Sequence, residues 1–162
     1  MKETMTTPER RKEPILIVDD NSQDREAMMR SLMKAGVTNP LLQCDCGEEA
    51  LAYLFARGVW ESHGSSKMPC AIIRDMNMPG IDGLEVRSEL RQDQHLNKIP
   101  VIVFSASEDR NIADSCYGAG ASCFVRKPSD YIEYDRTVGR IAGFWFEGVT
   151  LPHVVSVVQG VE

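Results

Sequence analysis

The chain has 162 residues, 43% of them hydrophobic and 26% charged, with a formal net charge of -6. That is enough for one domain with a full hydrophobic core, and the balance is that of an ordinary soluble globular protein. The acidic charge argues against a nucleic-acid partner, no apolar run is long enough to span a membrane, and the polar N-terminus lacks a secretory core segment. The expected compartment is therefore the cytoplasm.

Residues 1–13 read as a disordered polar arm, and the basic cluster Arg10-Arg11-Lys12 in it is broken by Glu9 and Glu13. Five short apolar runs follow: Ile15–Val18, Leu41–Cys44, Cys70–Ile73, Val101–Phe104 and Cys123–Val125. The first, third and fourth are nearly unbroken, as in strands buried on both faces of a parallel sheet. Helical patterns lie between them. Ser22 is placed to cap a first helix carrying Met28, Leu32 and Ala35 and closed by Gly36.

A second helix spans Glu48 to Arg57, with Ala50, Leu51 and Leu54 on one face, and a long polar loop runs from Gly58 to Pro69. Asp82 starts a third helix with Leu84, Val86 and Leu90, and Asp109 to Gly118 forms a fourth. Tyr131, Tyr134, Val138, Ile141 and Trp145 make the apolar stripe of a fifth. This alternation predicts a doubly wound α/β domain, whose sites lie outside the carboxyl ends of its strands. Cys44, Cys46, Cys70, Cys116 and Cys123 lack zinc spacing and read as reduced structural thiols; His63, His95 and His153 are scattered.

Chemistry collects at those carboxyl ends. The first strand ends in Asp19-Asp20, the third in Asp75 followed by Met76-Asn77-Met78-Pro79-Gly80, the fourth in Ser105 and the fifth in Lys127-Pro128. The fold would bring three carboxylates, a hydroxyl and an ammonium to one crevice. Two carboxylates about 4 Å apart repel by about 4 kcal/mol at an effective dielectric of about 20, so a proton or a cation must relieve them. An all-oxygen set suits magnesium, which also grips phosphate oxygens. Taken singly, each residue has an ordinary reading: a helix N-terminal charge pair, a turn, a loop hydroxyl, a surface lysine, a core aromatic. Their order, each at a strand end, is what carries the signal.

The segments ILIVDDN, RDMNMPGIDG, VFSAS and FVRKP are similar to the signature stretches of response-regulator receiver domains, over residues 14–146. The resemblance implies a flavodoxin-like (βα)5 fold with a five-stranded parallel sheet in the order 2-1-3-4-5. It implies Asp75 as phosphoacceptor, Asp19 and Asp20 as the magnesium-organising pair, and Asn77 as the donor of a backbone carbonyl to the metal. It makes Ser105 the switch hydroxyl, Lys127 the phosphate-pairing lysine and Phe124 the switch aromatic. A narrower resemblance, in GEEALAYLF and GFWFEGVTLP, is to the small regulators that partner phytochrome-type histidine kinases. Arg74 departs from the family, which carries an uncharged residue before the phosphoacceptor.

The function so implied is a single-domain response regulator in a phosphorelay, and no conventional enzyme. The stretch beyond Lys127 is too short for an output domain, so signalling is expected through protein contacts. Phe144-Trp145-Phe146 and the apolar extension 147–162 are expected to form a homodimer, with folding back onto the same domain as the alternative. Three other functions compete. An aspartyl-nucleophile phosphatase would place a second acid where Asn77 stands. A flavin carrier needs a phosphate-cradling loop where Asp19-Asp20-Asn21 stands, and a receiver-like adaptor that is never phosphorylated would not need the full acidic set.

Overall fold

The computed structural model describes residues 13–55, 68–75, 91–94, 96–152 and 154. Its strands are β1 (Ile15–Val18), β2 (Leu41–Cys44), β3 (Ala71–Arg74), β4 (Val101–Ser105) and β5 (Cys123–Arg126). All pair in parallel, in the order β2-β1-β3-β4-β5. The described helices are α1 (Ser22–Lys34), α2 (Gly47–Leu54), α3 (Arg110–Gly118) and α4 (Tyr131–Ala142). The helix expected from Asp82 with Leu84, Val86 and Leu90 lies outside the described residues, as does most of the loop 58–69.

Side-chain alternation along each strand divides the core in two. Ile15, Ile17, Ala71, Ile73, Ile102 and Phe104 face α1 and α4 and pack on Met28, Leu32, Val138 and Ile141. Leu16, Val18, Cys44, Ile72 and Val101 face the other way, with Ala50, Leu51 and Leu54 of α2. The central strands β1, β3 and β4 are wholly buried while β2 and β5 are only partly so, which is why the central runs are almost purely apolar.

Local chemistry sets the boundaries. Asn21, rather than Ser22, caps α1, its side chain accepting from the amides of Gln23 and Asp24; Ser22 is the first helical residue. Gly36 takes a positive φ of 90° just past the helix end, where a side chain would be strained. Asp109 and Asp130 cap α3 and α4 in the same way as Asn21. In the stripe of the last helix, Val138 and Ile141 are buried and Tyr134 half-buried, but Tyr131, in the first turn, is 90% exposed.

The α-helix stops at Ala142 and continues as a π turn, Gly143–Gly148. Trp145, Phe146 and Leu151 pack on the α1/α4 side of the core, whereas Val154 reaches the α2 side. Leu151 and Val154 of the extension thus lie against the core, and Phe144 is exposed. The five cysteines are not joined in disulfides, and burial pushes the Cys44 and Cys70 thiols up to about 12. No helix among the described residues is long and apolar enough to cross a membrane.

Candidate functional site

Asp19, Asp20 and Asp75 come together where β1 and β3 end side by side, each offering a carboxylate oxygen within 4.8 Å of the others. The register explains this. Val18 pairs with Arg74, so the next residue of each strand, Asp19 or Asp75, leaves the sheet on the α1/α4 side at the same height. Backbone bonds fix both: the Asp19 amide donates to Cys44 O (3.1 Å) and the Asp75 amide to Val18 O (3.0 Å).

The three acids differ in surroundings. Asp20 is exposed and Asp75 half-buried, while Asp19 is only 6% exposed and its Oδ1 accepts from the Asn21 amide at 2.9 Å. Burial above all, with the charge of Asp75 adding to it, raises the Asp19 carboxyl from 3.8 to about 6; the Asn21 amide and Lys127 pull the other way. A carboxylate disfavoured by burial and by its neighbours is one that an added cation relieves. The oxygen-only donor set fits a hard divalent ion.

Lys127 reaches the same crevice from the end of β5. Its amide donates to Ser105 O (2.7 Å), and its ammonium lies 3.7 Å from Asp19 Oδ2 and 3.6 Å from Asp24 Oδ2. The ammonium also stands 5.7 Å from the centre of the Phe104 ring, within cation–π range. Phe104 in turn meets Tyr134 edge-on, and burial lifts the Tyr134 phenol well above its usual range.

Ser105 and Phe124 stand on the other face of the sheet. Ser105 is fully buried, its Oγ accepting from the Ser107 amide at 3.2 Å. Phe124, level with Val103, packs beside Cys116 and Ala121 against α3, and its amide donates to the Tyr117 hydroxyl at 3.1 Å. The structure thus joins Asp19, Asp20, Asp75 and Lys127 directly and sets Ser105 and Phe124 behind them. Asn77 lies outside the described residues.

Three neighbours escape a reading by strand ends. Asp24 shares Lys127 with Asp19, Phe104 lies under that lysine, and Arg25 donates from Nη1 to Asp19 O at 2.6 Å. Asp24 and Arg25 sit in the first turn of a helix that directly follows two acids, which is the one sequence signal for them.

These features define a doubly wound α/β protein with an acidic, lysine-edged crevice at its topological switch point. The pattern of the response regulator receiver domain matches residues 15–138, and the chain belongs to that family of two-component signalling proteins. Response regulator Rcp1 of Synechocystis sp. is 31% identical over 85% of this chain and 92% of its own length. Among solved structures, response regulator RPA3017 in red light signalling of R. palustris superposes with a TM-score of 0.81 at 26% identity, covering 88% of this chain and 99% of that one. The phosphorylated cyanobacterial phytochrome response regulator RcpA gives 0.79 at 30% identity, covering 87% and 99%. The Mn2+-bound form of Rcp1 gives 0.78 at 31% identity, covering 86% and 99%.

Proposed function

We propose that Asp75 is the phosphoacceptor of this response regulator, taking a phosphoryl group from a phosphohistidine of a sensor kinase. The observation that carries the reading is the convergence of three carboxylates within 4.8 Å, with the Lys127 ammonium 3.7 Å from one of them. A carboxylate oxygen of Asp75 attacks phosphorus in line; the new O–P bond forms as the N–P bond breaks, and the imidazole nitrogen keeps the electron pair. Such a transfer is helped chiefly by positioning and by charge.

Asp19, Asp20 and Asp75, with the Asn77 carbonyl, are the residues that would hold Mg2+, and a magnesium ion bound there supplies charge neutralisation for the phosphoryl oxygens. Lys127, held loosely between Asp19 and Asp24, is free to swing onto the phosphoryl group. Ser105 turns its hydroxyl toward the new charge, and Phe124 moves on the α3 side of the sheet, which converts the added charge into a change of surface. In this reading the protein assists its own phosphorylation and dephosphorylation without being a conventional enzyme.

The proposed kinase partner is of the phytochrome type, a reading supported by the likeness to RcpA, a cyanobacterial phytochrome response regulator, and to RPA3017, which acts in red light signalling. Residues 14–146 make up the receiver domain, acting in the cytoplasm, with residues 1–13 as an arm and 147–162 as an extension. A second copy of the chain is the expected further partner, through the last helix and the C-terminal extension, beside the exposed Phe144. Sedimentation of the full chain tests that point, and a monomer at high micromolar concentration sinks it.

The deciding experiment for the site is incubation with acetyl phosphate and magnesium, followed by intact-protein mass spectrometry. The wild type gains one phosphoryl group in a magnesium-dependent way and Asp75→Asn gains none. A wild type that stays unmodified overturns the assignment.

A further inference from the structure

We propose that Arg74 is a positioning residue for the phosphoacceptor: its guanidinium grips the peptide that follows Asp75 and so fixes the direction in which the Asp75 carboxylate meets an incoming phosphorus. The inference rests on Asp75 being the phosphoacceptor and goes beyond it.

Arg74 is the last residue of β3 and only 4% exposed. Alternation puts its stem on the face of Ile72 and Val18, toward α2, the side opposite the acidic crevice. A buried guanidinium at the edge of an apolar cluster is costly unless its donors are used. Here Nε and Nη2 both donate to the carbonyl oxygen of Asp75, at 3.2 and 3.1 Å.

That carbonyl sits one residue past the final β3–β4 pair, Arg74 with Val103, so the ladder no longer orients it. The Asp75 amide is already tied to Val18 O at 3.0 Å. Asp75 is therefore held on both sides of its Cα: by β1 at its nitrogen and by Arg74 at its carbonyl. With both its amide and its carbonyl held, the Asp75 Cα–Cβ bond has one direction.

The choice of acceptor matters as much as the bond. An arginine on the Asp75 carboxylate would occupy the oxygens that must attack phosphorus. On the carbonyl it leaves those oxygens to the crevice. Asp19 shows the same device, for Arg25 donates to Asp19 O at 2.6 Å while also binding Gln43. Arg25 reaches from α1 on the crevice side, and Arg74 from within the strand. Two of the three acids thus have their carbonyls held by guanidinium groups, which are rigid, planar and always charged. A lysine in the place of Arg74 offers a single flexible donor instead.

The test compares wild type, Arg74→Met and Arg74→Lys as full chains, phosphorylated with acetyl phosphate. There the O–P bond to Asp75 forms as the acetyl C–O–P linkage breaks at phosphorus and acetate leaves with the electron pair. Arg74→Met keeps the apolar stem and removes the donors. Because a misplacement of about 1 Å can cost a hundred-fold in rate, Arg74→Met is expected to be about ten- to a hundred-fold slower at saturating magnesium and acetyl phosphate. Arg74→Lys is expected strictly between Arg74→Met and wild type. A merely structural arginine alters the folded fraction and leaves the saturated rate of the folded molecules unchanged.

Circular dichroism and thermal melts report that fraction. A folded Arg74→Met at the wild-type rate overturns the proposal, and so does an Arg74→Lys indistinguishable from either extreme. If Arg74→Met does not fold, Arg74→Lys decides alone: a slowed saturated rate supports the clamp and the wild-type rate overturns it. An unmodified wild type speaks against the role of Asp75, a separate failure seen in the control.

Discussion

The Lys127 ammonium stands 3.7 Å from Oδ2 of the buried Asp19, beyond hydrogen-bond reach but close enough for the charges to feel each other. With Asp24 at 3.6 Å on another side and the Phe104 ring at 5.7 Å, the ammonium is caged by weak contacts and, among the described residues, bound tightly by none. A cation so held can exchange its partners for a phosphoryl group at little cost. Lys127→Met is expected to slow phosphorylation by acetyl phosphate about a hundred-fold at saturating magnesium, the scale on which a preorganised donor to transition-state charge contributes. An unchanged rate would remove Lys127 from the chemistry.

The acidic cluster is a standing cost to the metal-free fold, and a divalent ion turns it into a gain. A ligand bound only by the folded state adds about 2.7 kcal/mol at a hundred times its dissociation constant. Magnesium is therefore expected to raise the melting temperature by several degrees over protein in EDTA. Asp20 is exposed and part of the cluster, so Asp20→Asn removes a proposed ligand without disturbing the core. Differential scanning calorimetry with and without magnesium checks this. Equal shifts for wild type and Asp20→Asn would place the ion elsewhere.

A third relationship joins α1 to α4. Ser31 Oγ donates to Asp135 Oδ1 at 2.5 Å, and Lys34 Nζ lies 2.8 Å from Asp135 Oδ2. The lysine first, then the serine, hold the Asp135 carboxyl below its ordinary 3.8. A carboxyl lowered in the folded state stabilises it fully above the unfolded value and loses that contribution as the pH falls through the folded one. Asp135→Asn is expected to melt below wild type at pH 7, with the gap closing as the pH drops below 3.8. A gap that persists in acid would mean that the bond geometry and not the charge matters.

The legible and illegible parts of this molecule divide along physical lines. The central strands could be read because burial on both faces leaves them nothing but apolar residues, and their order followed from the family motifs. The end of β3 could not: Arg74 looks like the close of the apolar run, yet it is paired strand residue and buried because its own forward neighbour supplies an acceptor. Asp19, Asp20, Asp75 and Lys127 were readable because a parallel sheet sends its strand ends to one place. Asp24, beyond its place at the helix start, and Phe104 were not, since their closeness to Lys127 depends on how α1 packs across the sheet and how β4 and β5 pair, which no local spacing encodes. The stripe of the last helix predicted its buried side but not the π turn after Ala142, where Gly143 and Gly148 approach closely enough that a Cβ on Gly148 would meet Gly143 O at 3.2 Å.

Two glycines separate backbone strain from crowding. Gly36 and Gly120 both have positive φ, 90° and 95°. An added Cβ at Gly36 meets nothing within 4 Å, whereas at Gly120 it falls 2.9 Å from Cζ and Nε of Arg91. Gly36→Ala therefore reports the left-handed backbone alone, a cost of about 1 kcal/mol. Gly120→Ala carries the same cost and must also push aside Arg91, which donates to Gly118 O at 3.4 Å. It is expected to destabilise somewhat more than Gly36→Ala, read from urea midpoints at constant slope. The excess should disappear when Gly120→Ala is made on Arg91→Ala, since the obstacle is then gone while the backbone is unchanged. Equal losses at the two glycines in the wild-type background would show that Arg91 yields freely and that φ alone sets the cost.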